Sequence, residues 1–318
     1  SATPSGNGAG VALEEVGRAA RGQLVDGRGQ PKAAVRLRVL TGAVTSPTLA
    51  GRVEALLAQF PQARWTQWEP CGQDAAREGA RRAFGRDAAV HYDLTKADVV
   101  VALDADFLGE GPGHVRYCRD FAARRRVRHA DTFDRTIPAN LRSDYTRPEA
   151  MARLYAVECY PSQTGSSADH RLPVLSGQVE AVGRALAAKL NVAGAPAPGP
   201  LPDGAQRWVD ALAADLTRDG RRGKTVVIAG DSQPPAVHAL ALAINSQLGN
   251  LGQTAVVTAP VEARPDGKML ELPALAAEMA ARAVDVLLIL GGTNPVYTAP
   301  ADVDFAAALR NVPFALHL

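Results

Sequence analysis

Short apolar runs alternate with longer amphipathic stretches along nearly the whole chain. The apolar runs are rich in Val, Leu and Ile and predict strands, which begin near residues 35, 63, 89, 97, 152, 224, 253, 284 and 313. The stretches between them predict helices at 46–60, 73–84, 113–125, 177–190, 206–218, 235–248, 272–282 and 302–310. Ser46 followed by Pro47 is a typical helix start. Strands alternating with helices of this length argue for α/β architecture, as two Rossmann-like three-layer lobes with mainly parallel sheets.

The spacing of these elements also predicts where the lobes begin and end. Residues 1–34 are rich in Gly and other small residues and predict a flexible N-terminal arm. Residues 35–191 then form a first α/β lobe and residues 206–318 a second one. Between them, residues 192–205 alternate proline with small residues, which is typical of an extended linker. The chain ends on an apolar strand-like run, so we expect a fragment of a larger protein.

Composition narrows the possible functions. Hydrophobic residues make up 47% of the 318 residues and charged residues 21%, which is usual for a globular protein. A net charge of +2 and only 5% aromatic residues give no indication of a nucleic-acid partner. No apolar run reaches the roughly 20 residues of a membrane helix, so we expect no direct transmembrane segment.

Cysteine and histidine spacing predicts no metal site. Cys71, Cys118 and Cys159 lie far apart in the sequence, and none has the partner that a zinc or iron–sulfur motif requires. The six histidines form no paired ligand motif either. We expect Cys159 to be a buried thiol rather than a metal ligand.

One strand end resembles that of the Gly-Asp-Ser type of hydrolase. The segment VIAGDSQPP places Ser232 in a strand-to-helix turn, and Asn294 would serve as the oxyanion donor. A serine nucleophile requires a base and an orienting acid. The only histidine after Asn294 is His317, and Phe314 stands where the family has its aspartate. The hydrolase therefore remains an alternative without a supported base.

Several segments resemble the molybdopterin oxidoreductase superfamily, in its dimethyl sulfoxide reductase-like branch. They are LLILGGTNPVYTAP, VIAGDSQPPAVHALALAINSQLGNLGQT, ADVVVALDADFLGEGP and YAVECYPSQTGSSADHRLPVLSG. The phrases SQTGSSADHRLPV and GGTNPVYTAPADVDF are closer still to the large iron–sulfur subunit of alternative complex III, a bacterial quinol-oxidising membrane complex. The resemblance covers most of residues 35–318.

The resemblance implies a pair of loops that hold the nucleotide ends of molybdopterin guanine dinucleotides. Gly291, Gly292, Asn294 and Pro295 match the second-lobe loop, and Asp169 matches a segment of the first lobe. Glycines let backbone N–H groups approach a pyrophosphate, and an amide side chain can bind a base or ribose. We regard these five residues as vestigial cofactor-binding candidates and name no catalytic or metal-binding residue.

The first lobe departs from the family pattern at its own loop. Asp104, Ala105 and Asp106 replace the Asn-Pro pair there, so two carboxylates stand where a phosphate would lie. Residues 158–160 read Glu-Cys-Tyr instead of Asp-Pro-Arg, and the Asp expected near residue 178 is absent. The cofactor site is therefore expected to be degenerate.

The function that follows is a scaffold without catalysis of its own, within a molybdopterin-oxidoreductase-like subunit of a quinol-oxidising electron-transfer complex. A genuine molybdopterin guanine dinucleotide-binding fragment of an oxidoreductase is the first alternative. The resemblance implies iron–sulfur clusters in other parts of the parent chain and none here. It also implies partners among the iron–sulfur domains and the other subunits of a membrane redox complex. The implied location is the periplasmic side of the inner membrane, with the cytoplasm as the alternative.

Overall fold

The computed structural model describes residues 13–125, 151–264 and 268–318. These residues form two compact units. One consists of Ser1–Asp74 with Val261–Leu318 and is called the terminal unit; the other is Ala75–Pro260 and is called the central unit. Both are mixed α/β structures with mainly parallel sheets, which confirms the predicted fold class. No helix in the described ranges has both the length and the apolarity needed to cross a bilayer.

The elements follow the predicted alternation closely. The first part of the chain contains α1 (Leu13–Leu24), β1 (Leu37–Thr41), α2 (Pro47–Leu57), β2 (Arg64–Gln67) and α3 (Asp74–Phe84). The middle part contains β3 (Ala89–Tyr92), β4 (Val99–Leu103), α4 (His114–Arg124), β5 (Arg153–Glu158), α5 (Gln163–Ser166), β6 (His170–Pro173), α6 (Val179–Lys189), α7 (Ala205–Leu216), β7 (Thr225–Ala229), α8 (Pro235–Gln247) and β8 (Ala255–Thr258). The last part contains α9 (Lys268–Ala280), β9 (Val286–Leu290), α10 (Pro295–Thr298), α11 (Phe305–Leu309) and β10 (Phe314–His317).

The terminal unit is built on a four-stranded parallel sheet in the order β10-β9-β1-β2. Every residue of β1 is buried, because helices cover both faces of a parallel sheet. The predicted start of α2 is confirmed: the Ser46 hydroxyl accepts a hydrogen bond from Leu49 N, and Pro47 occupies the first turn. Strand β2 lies on one side of β1, and β9 and then β10 lie on its other side, all in parallel. The strand order therefore reverses between β1 and β9, which is where α/β sheets bind ligands.

The central unit has a second parallel sheet in the order β6-β5-β4-β7. Its strand order reverses between β4 and β7, so this unit has its own candidate ligand crevice. Strands β3 and β8 stand apart as an antiparallel pair. The prediction was of mainly parallel sheets, and this pair is the antiparallel exception among the described strands.

Strand pairing divides the chain differently from the predicted lobes. Strand β1 pairs with β9, and β4 pairs with β7, so each sheet joins segments from both predicted lobes. Residues 192–205 are part of the central unit, and Val192, Ala195 and Leu201 pack against its core. The proline-rich composition predicted a linker between two lobes. The segment instead belongs to one unit and packs against its core.

The predicted N-terminal arm is also partly ordered into the fold. Helix α1 ends at Leu24, which is buried in the same cluster as Leu37 and Val39 of β1. Residues 25–31 then turn back, with a bridge between Val25 and Pro31. The remaining residues of that prediction, 1–12, lie outside the described ranges.

The outer edge of strand β2 is capped by two side chains. The Arg264 guanidinium donates to the carbonyl of Trp65, and the Glu271 carboxylate accepts from Gln67 N at 2.8 Å. Arg264 and Glu271 also pair with each other at 2.7 Å. Because one residue of a neighbouring parallel strand would make the same two backbone hydrogen bonds, the ion pair substitutes for a fifth strand at this edge.

A buried carboxylate holds the start of the central sheet. Asp215 of α7 is 5% exposed and accepts hydrogen bonds from Arg153 at 2.6 Å, from the Tyr155 hydroxyl at 3.2 Å and from Arg221. Burial opposes ionisation of Asp215, but the Arg153 hydrogen bond and the charges of Arg221 and Arg153 outweigh it and lower its pKa. This group therefore stabilises the fold in its ionised form.

Replacing Asp215 by Asn is expected to lower the free energy of unfolding by about 3 kcal/mol at pH 7, because it leaves the buried Arg221 without its counter-charge. The pKa of Asp215 is lowered in the folded state, so its contribution is complete above the unfolded value of about 3.9 and disappears as the pH falls through the folded value. Urea unfolding at pH 7 and pH 3 measures both effects.

The matched control is Asp210→Asn on the same helix, where an exposed carboxylate pairs with Lys189. We expect no measurable change in the urea midpoint for this control. A destabilisation by Asp215→Asn that is as large at pH 3 as at pH 7 would contradict the role of the charge.

Candidate functional site

The loops that follow β4 and β7 are in direct contact at the reversal point of the central sheet. Gly230 N donates to Leu103 O at 3.0 Å, and a Cβ added to Gly230 would stand 1.8 Å from the Asp104 carbonyl oxygen. Asp104 has a left-handed backbone with φ of 54°, which Asp tolerates better than most residues. The backbones therefore close the crevice at its base.

The Asp104 carboxylate ties three loops together. It accepts a hydrogen bond from Cys159 N, after β5, at 3.2 Å. It also accepts one at 2.8 Å from the side-chain amide of Gln233, after β7, and that amide lies 3.3 Å from the Ser176 hydroxyl. Gln233 is 2% exposed. The carboxylate that stands at the ligand position is thus bonded within the protein.

Asp106 is used in a similar way. Its carboxylate accepts hydrogen bonds from both the backbone N and the hydroxyl of Thr164, each at 2.8 Å. Leu108 N in turn donates to that hydroxyl at 3.1 Å. Thr164 is completely buried. The second aspartate of the loop therefore fixes the turn at α5 against the end of β4.

A third carboxylate, Glu158, fills the space after β5. It is buried, forms an ion pair with Arg171, and accepts a 2.6 Å hydrogen bond from the Ser162 hydroxyl. A Cβ on Gly165 would meet its carboxylate at 1.7 Å, so the glycine is required by this packing. Glu158 occupies the position at which the molybdopterin family has the first residue of its Asp-Pro-Arg. Its ion pair with Arg171 means that this arginine already has a carboxylate partner within the protein.

The charge at this end of the central sheet does not fit a phosphate ligand. The four loops that follow its strands, residues 104–113, 159–162, 174–178 and 230–234, contain four carboxylates and no Lys or Arg. A diphosphate placed there would meet like charges within a few ångströms. The residues present therefore do not fit a pterin dinucleotide at this crevice.

Cys159 is an exposed free thiol, so the prediction of a buried one is wrong. Partial desolvation and the neighbouring Asp104 charge raise its pKa and so favour the protonated thiol. The Sγ atom lies 3.9 Å from Asp104 Oδ2. Since metals bind the thiolate, this environment disfavours metal ligation. The described residues contain no cluster of three or more His, Cys, Asp or Glu side chains suited to a metal ion.

Asp169 lies at the opposite end of the central sheet from the crevice. It immediately precedes β6, and its carboxylate accepts from Leu154 N at 2.8 Å and from Arg125 at 2.7 Å. Burial raises its pKa, but the hydrogen bonds from Arg125 and Leu154 N outweigh that effect and lower it. Its interactions are those of a structural residue at the amino end of two strands, away from the predicted site.

The terminal unit presents a more open loop at its own reversal point. Gly291 follows β9 directly with φ of 84°, a conformation that favours glycine, and its N–H donates to Leu318 O at 3.1 Å. Both Gly291 and Gly292 are exposed, and a Cβ on either would meet nothing within 4 Å. The bare backbone predicted from sequence is therefore accessible.

Asn294 and Pro295 form the next turn. Pro295 is buried at the first position of the short helix α10, and Asn294 precedes it without a side-chain capping bond. Within the described ranges the Asn294 amide makes no hydrogen bond, whereas its backbone O accepts from Tyr297 N at 3.0 Å. Tyr297 is 85% exposed. The structure thus brings four of the five predicted residues together in one accessible loop.

Trp68 anchors this loop across the end of β1. Its indole N–H donates to the Thr298 hydroxyl at 3.0 Å, and its backbone O accepts from the Thr293 hydroxyl at 3.4 Å. Next to it, Gln67 donates to Gly42 O at 3.0 Å, while its Oε1 is buried with no partner in the described part of the chain. Sequence reasoning missed Trp68, Gln67 and Gln233, whose only sequence signal is a polar or aromatic residue just past a strand.

The hydrolase alternative gains no support from the local geometry. Ser232 is exposed, and its hydroxyl makes no hydrogen bond to any described residue. A serine nucleophile is activated by a base within hydrogen-bonding reach. Asn294 and His317, the other two candidates, belong to the other unit.

Gly230→Ala is expected to lower the free energy of unfolding by at least about 2 kcal/mol, because the new methyl group would collide with the Asp104 carbonyl. Chemical denaturation measures the change. The control is Gly177→Ala in the same unit, where a Cβ meets nothing within 4 Å, and where we expect a change below about 0.5 kcal/mol. Equal effects at the two positions would contradict the close contact.

Asp104→Asn is expected to increase the alkylation rate of Cys159 by iodoacetamide at pH 8 by roughly two- to fivefold. A unit charge about 4 Å away contributes about 1 kcal/mol in water, and its removal raises the thiolate fraction. Peptide mass spectrometry gives the rate, with the exposed Cys71 of the same molecule as the reference. An unchanged ratio of the two rates would exclude the effect of Asp104.

Comparisons with known proteins extend these observations. No protein-family model and no curated protein sequence matches the chain. Among solved structures, acetylene hydratase from Pelobacter acetylenicus is similar with a TM-score of 0.55 at 12% sequence identity, over 89% of this chain and 46% of that one. This chain therefore spans about half the length of that enzyme.

A second similar structure is a chain of the formyltransferase/hydrolase complex from Methylorubrum extorquens, solved in complex with methylofuran. The TM-score is 0.50 at 17% identity, over 98% of this chain and 80% of that chain. Identities this low show a shared fold alone.

Proposed function

We propose that this chain is a scaffold module, related in fold to molybdopterin enzymes, whose dinucleotide site is degenerate and which has no catalysis of its own. One observation carries the proposal. At the reversal point of the central sheet, the Asp104 carboxylate occupies the ligand position and is bonded to Cys159 N and the Gln233 amide. A negative, internally satisfied group there excludes a phosphate both by charge and by volume.

The surrounding residues support the same conclusion. Asp106 and Glu158 are bonded to Thr164, Ser162 and Arg171, so the loops are held together by the carboxylates themselves. A site that keeps its shape through internal hydrogen bonds needs no ligand for stability. The loops at the strand ends would then have a structural role only, as is expected of a module that positions other parts of an assembly.

The parent protein is proposed to be a subunit of a quinol-oxidising electron-transfer complex like alternative complex III. The sequence phrases near residues 162–174 and 291–305 support this assignment. Iron–sulfur domains of the parent chain and the other subunits would then be the partners, on the periplasmic side of a membrane. The structurally similar chain of the formyltransferase/hydrolase complex shows that this fold occurs in a multi-subunit assembly of another protein.

The second candidate function is a genuine pterin-dinucleotide module, and the open loop of the terminal unit favours it. Gly291 and Gly292 are bare, and the Asn294 amide makes no hydrogen bond in the described part of the chain. These residues fit the phosphate and base of a nucleotide, with the Gly292 backbone N–H for the phosphate and the Asn294 amide for the base, while the Gly291 N–H donates to Leu318 O. The two candidates differ in whether this loop still holds a ligand.

Cofactor content decides between the two functions. We expect protein purified from its source under native conditions to contain neither molybdenum nor tungsten in stoichiometric amount. We also expect acid hydrolysis to release no stoichiometric guanosine monophosphate, because the carboxylates at the reversal point of the central unit oppose a phosphate there. Elemental analysis and nucleotide chromatography give the two values.

A titration with guanosine diphosphate supplies the control for the open loop. Saturable binding that disappears in Asn294→Ala, together with stoichiometric metal in the native protein, would establish the cofactor module and overturn the scaffold. Weak binding that is unchanged by Asn294→Ala agrees with the scaffold.

A further inference from the structure

A groove of about 900 Å³ runs along the outer side of α8 in the central unit. The end of α3, one side of α6 and residues 192–196 form its walls, and α8 forms its floor from Ala236 to Gln247. The groove lies away from the strand ends that make up the candidate site, and the proposed function does not use it.

The sequence of α8 explains why its exposed side is unusual. The helix reads PAVHALALAINSQ and has almost no polar face, which is typical of a helix covered on all sides. One side packs on β7 and another on α6, and Gly79 of α3 lies so close that a Cβ would be 2.4 Å from His238. Only the side facing the groove is left without a neighbouring element among the described residues.

Three alanines at helical spacing run along that side, with Leu240 and Leu242 beside them. Ala236, Ala239 and Ala243 are three and four residues apart, so they form one stripe along α8 and line the groove. Small side chains allow a second helix to approach closely, at an interaxial distance near 8 Å. Along the alanine stripe the backbone groups of α8 are bonded within the helix, so this part of the floor offers apolar contact, and the polar side chains Ser246 and Gln247 lie at its C-terminal end.

The walls of the groove carry an excess of positive charge. Arg82, Arg184 and Arg222 line it, with Glu180 as the only carboxylate among its lining residues. Arg82 pairs with Glu78, and Arg184 pairs with Glu180. The exposed Arg222 guanidinium reaches only the Gln247 carbonyl, at 3.3 Å, and has no carboxylate partner in the described ranges. An occupant that carries carboxylates at its edges would complement these groups.

We propose that this groove docks an amphipathic helix of a partner protein, with small and aliphatic residues on the inner side and acidic residues along its edges. The 13 residues of α8 span about 20 Å, which sets the occupant at roughly three to four turns. The alanine stripe disfavours a free phosphate or a nucleic acid as the occupant. Either ligand would find hydrogen-bonding groups only at the walls of the groove and at the C-terminal end of α8. The inference deepens the proposed scaffold role by assigning one docking place; cofactor content tests the role, and helix binding tests the groove separately.

Two synthetic helices provide the direct test. The first is a stapled 15-residue peptide with Ala and Leu on one face and Glu along both edges; the second has Lys in place of every Glu. Fluorescence anisotropy with the full chain at low ionic strength is expected to show saturable binding of the Glu peptide only, weakening as salt is added. No binding of the Glu peptide, or equal binding of both peptides, would overturn the proposal.

Variants locate the binding on the protein. Arg222→Glu is expected to weaken binding of the Glu peptide about tenfold, because it reverses the unpaired charge of the groove. Lys224→Glu makes the same change in net charge two residues away, outside the groove lining, and is expected to leave binding within about twofold. Ala239→Trp fills the stripe and should abolish binding, with circular dichroism confirming that the variant is folded.

Cross-linking in the parent assembly identifies the natural occupant. With a photoreactive phenylalanine at position 239, the expected product joins α8 to an acidic segment of another polypeptide with apolar residues at helical spacing. A cross-link to a second copy of this chain, or to a segment without acidic residues, would overturn the proposal. The same probe at position 177, on an open surface of the same unit, gives the background level.

Discussion

The central unit depends on one residue in a rarely used backbone conformation. Asp104 turns left-handed at the end of β4, which aims its carboxylate across the sheet end to Cys159 N and the Gln233 amide. Gly230 rests on the carbonyl of the same residue. One side chain therefore joins the loops of three strands, and the crevice that the topology creates is filled from within. The charge that closes it is also the charge that opposes a phosphate.

The two reversal points have diverged although the sheets that carry them are alike. In the central unit, carboxylates and a buried amide satisfy one another, and no cation stands in the four loops. In the terminal unit, glycines leave backbone exposed and the Asn294 amide is unbonded within the described ranges. The two reversal points therefore differ in the groups they present: the central one opposes a phosphate by charge, and the terminal one leaves backbone and an amide side chain accessible.

The elements were predictable from sequence, but their partners were not. Hydrophobic periodicity located β1, β4, β7 and β9 because buried parallel strands are continuous apolar runs. It carried no information on the pairing of β1 with β9, because the whole central unit is inserted between them. The same limit applied to the site. The position just after a strand identified Asp104 and Asn294 as site candidates. The hydrogen-bond partners of Asp104, and the location of Asp169 at the opposite end of the sheet, depend on contacts between segments that are distant in sequence.

The ion pair of Arg264 and Glu271 at the edge of β2 has a further consequence. An unpaired strand edge is a template on which other chains polymerise, and each open N–H and C=O adds to that hazard. Here two side chains from the same unit complete the edge before any neighbour can. Growth of the sheet at this edge would therefore first have to break a salt bridge.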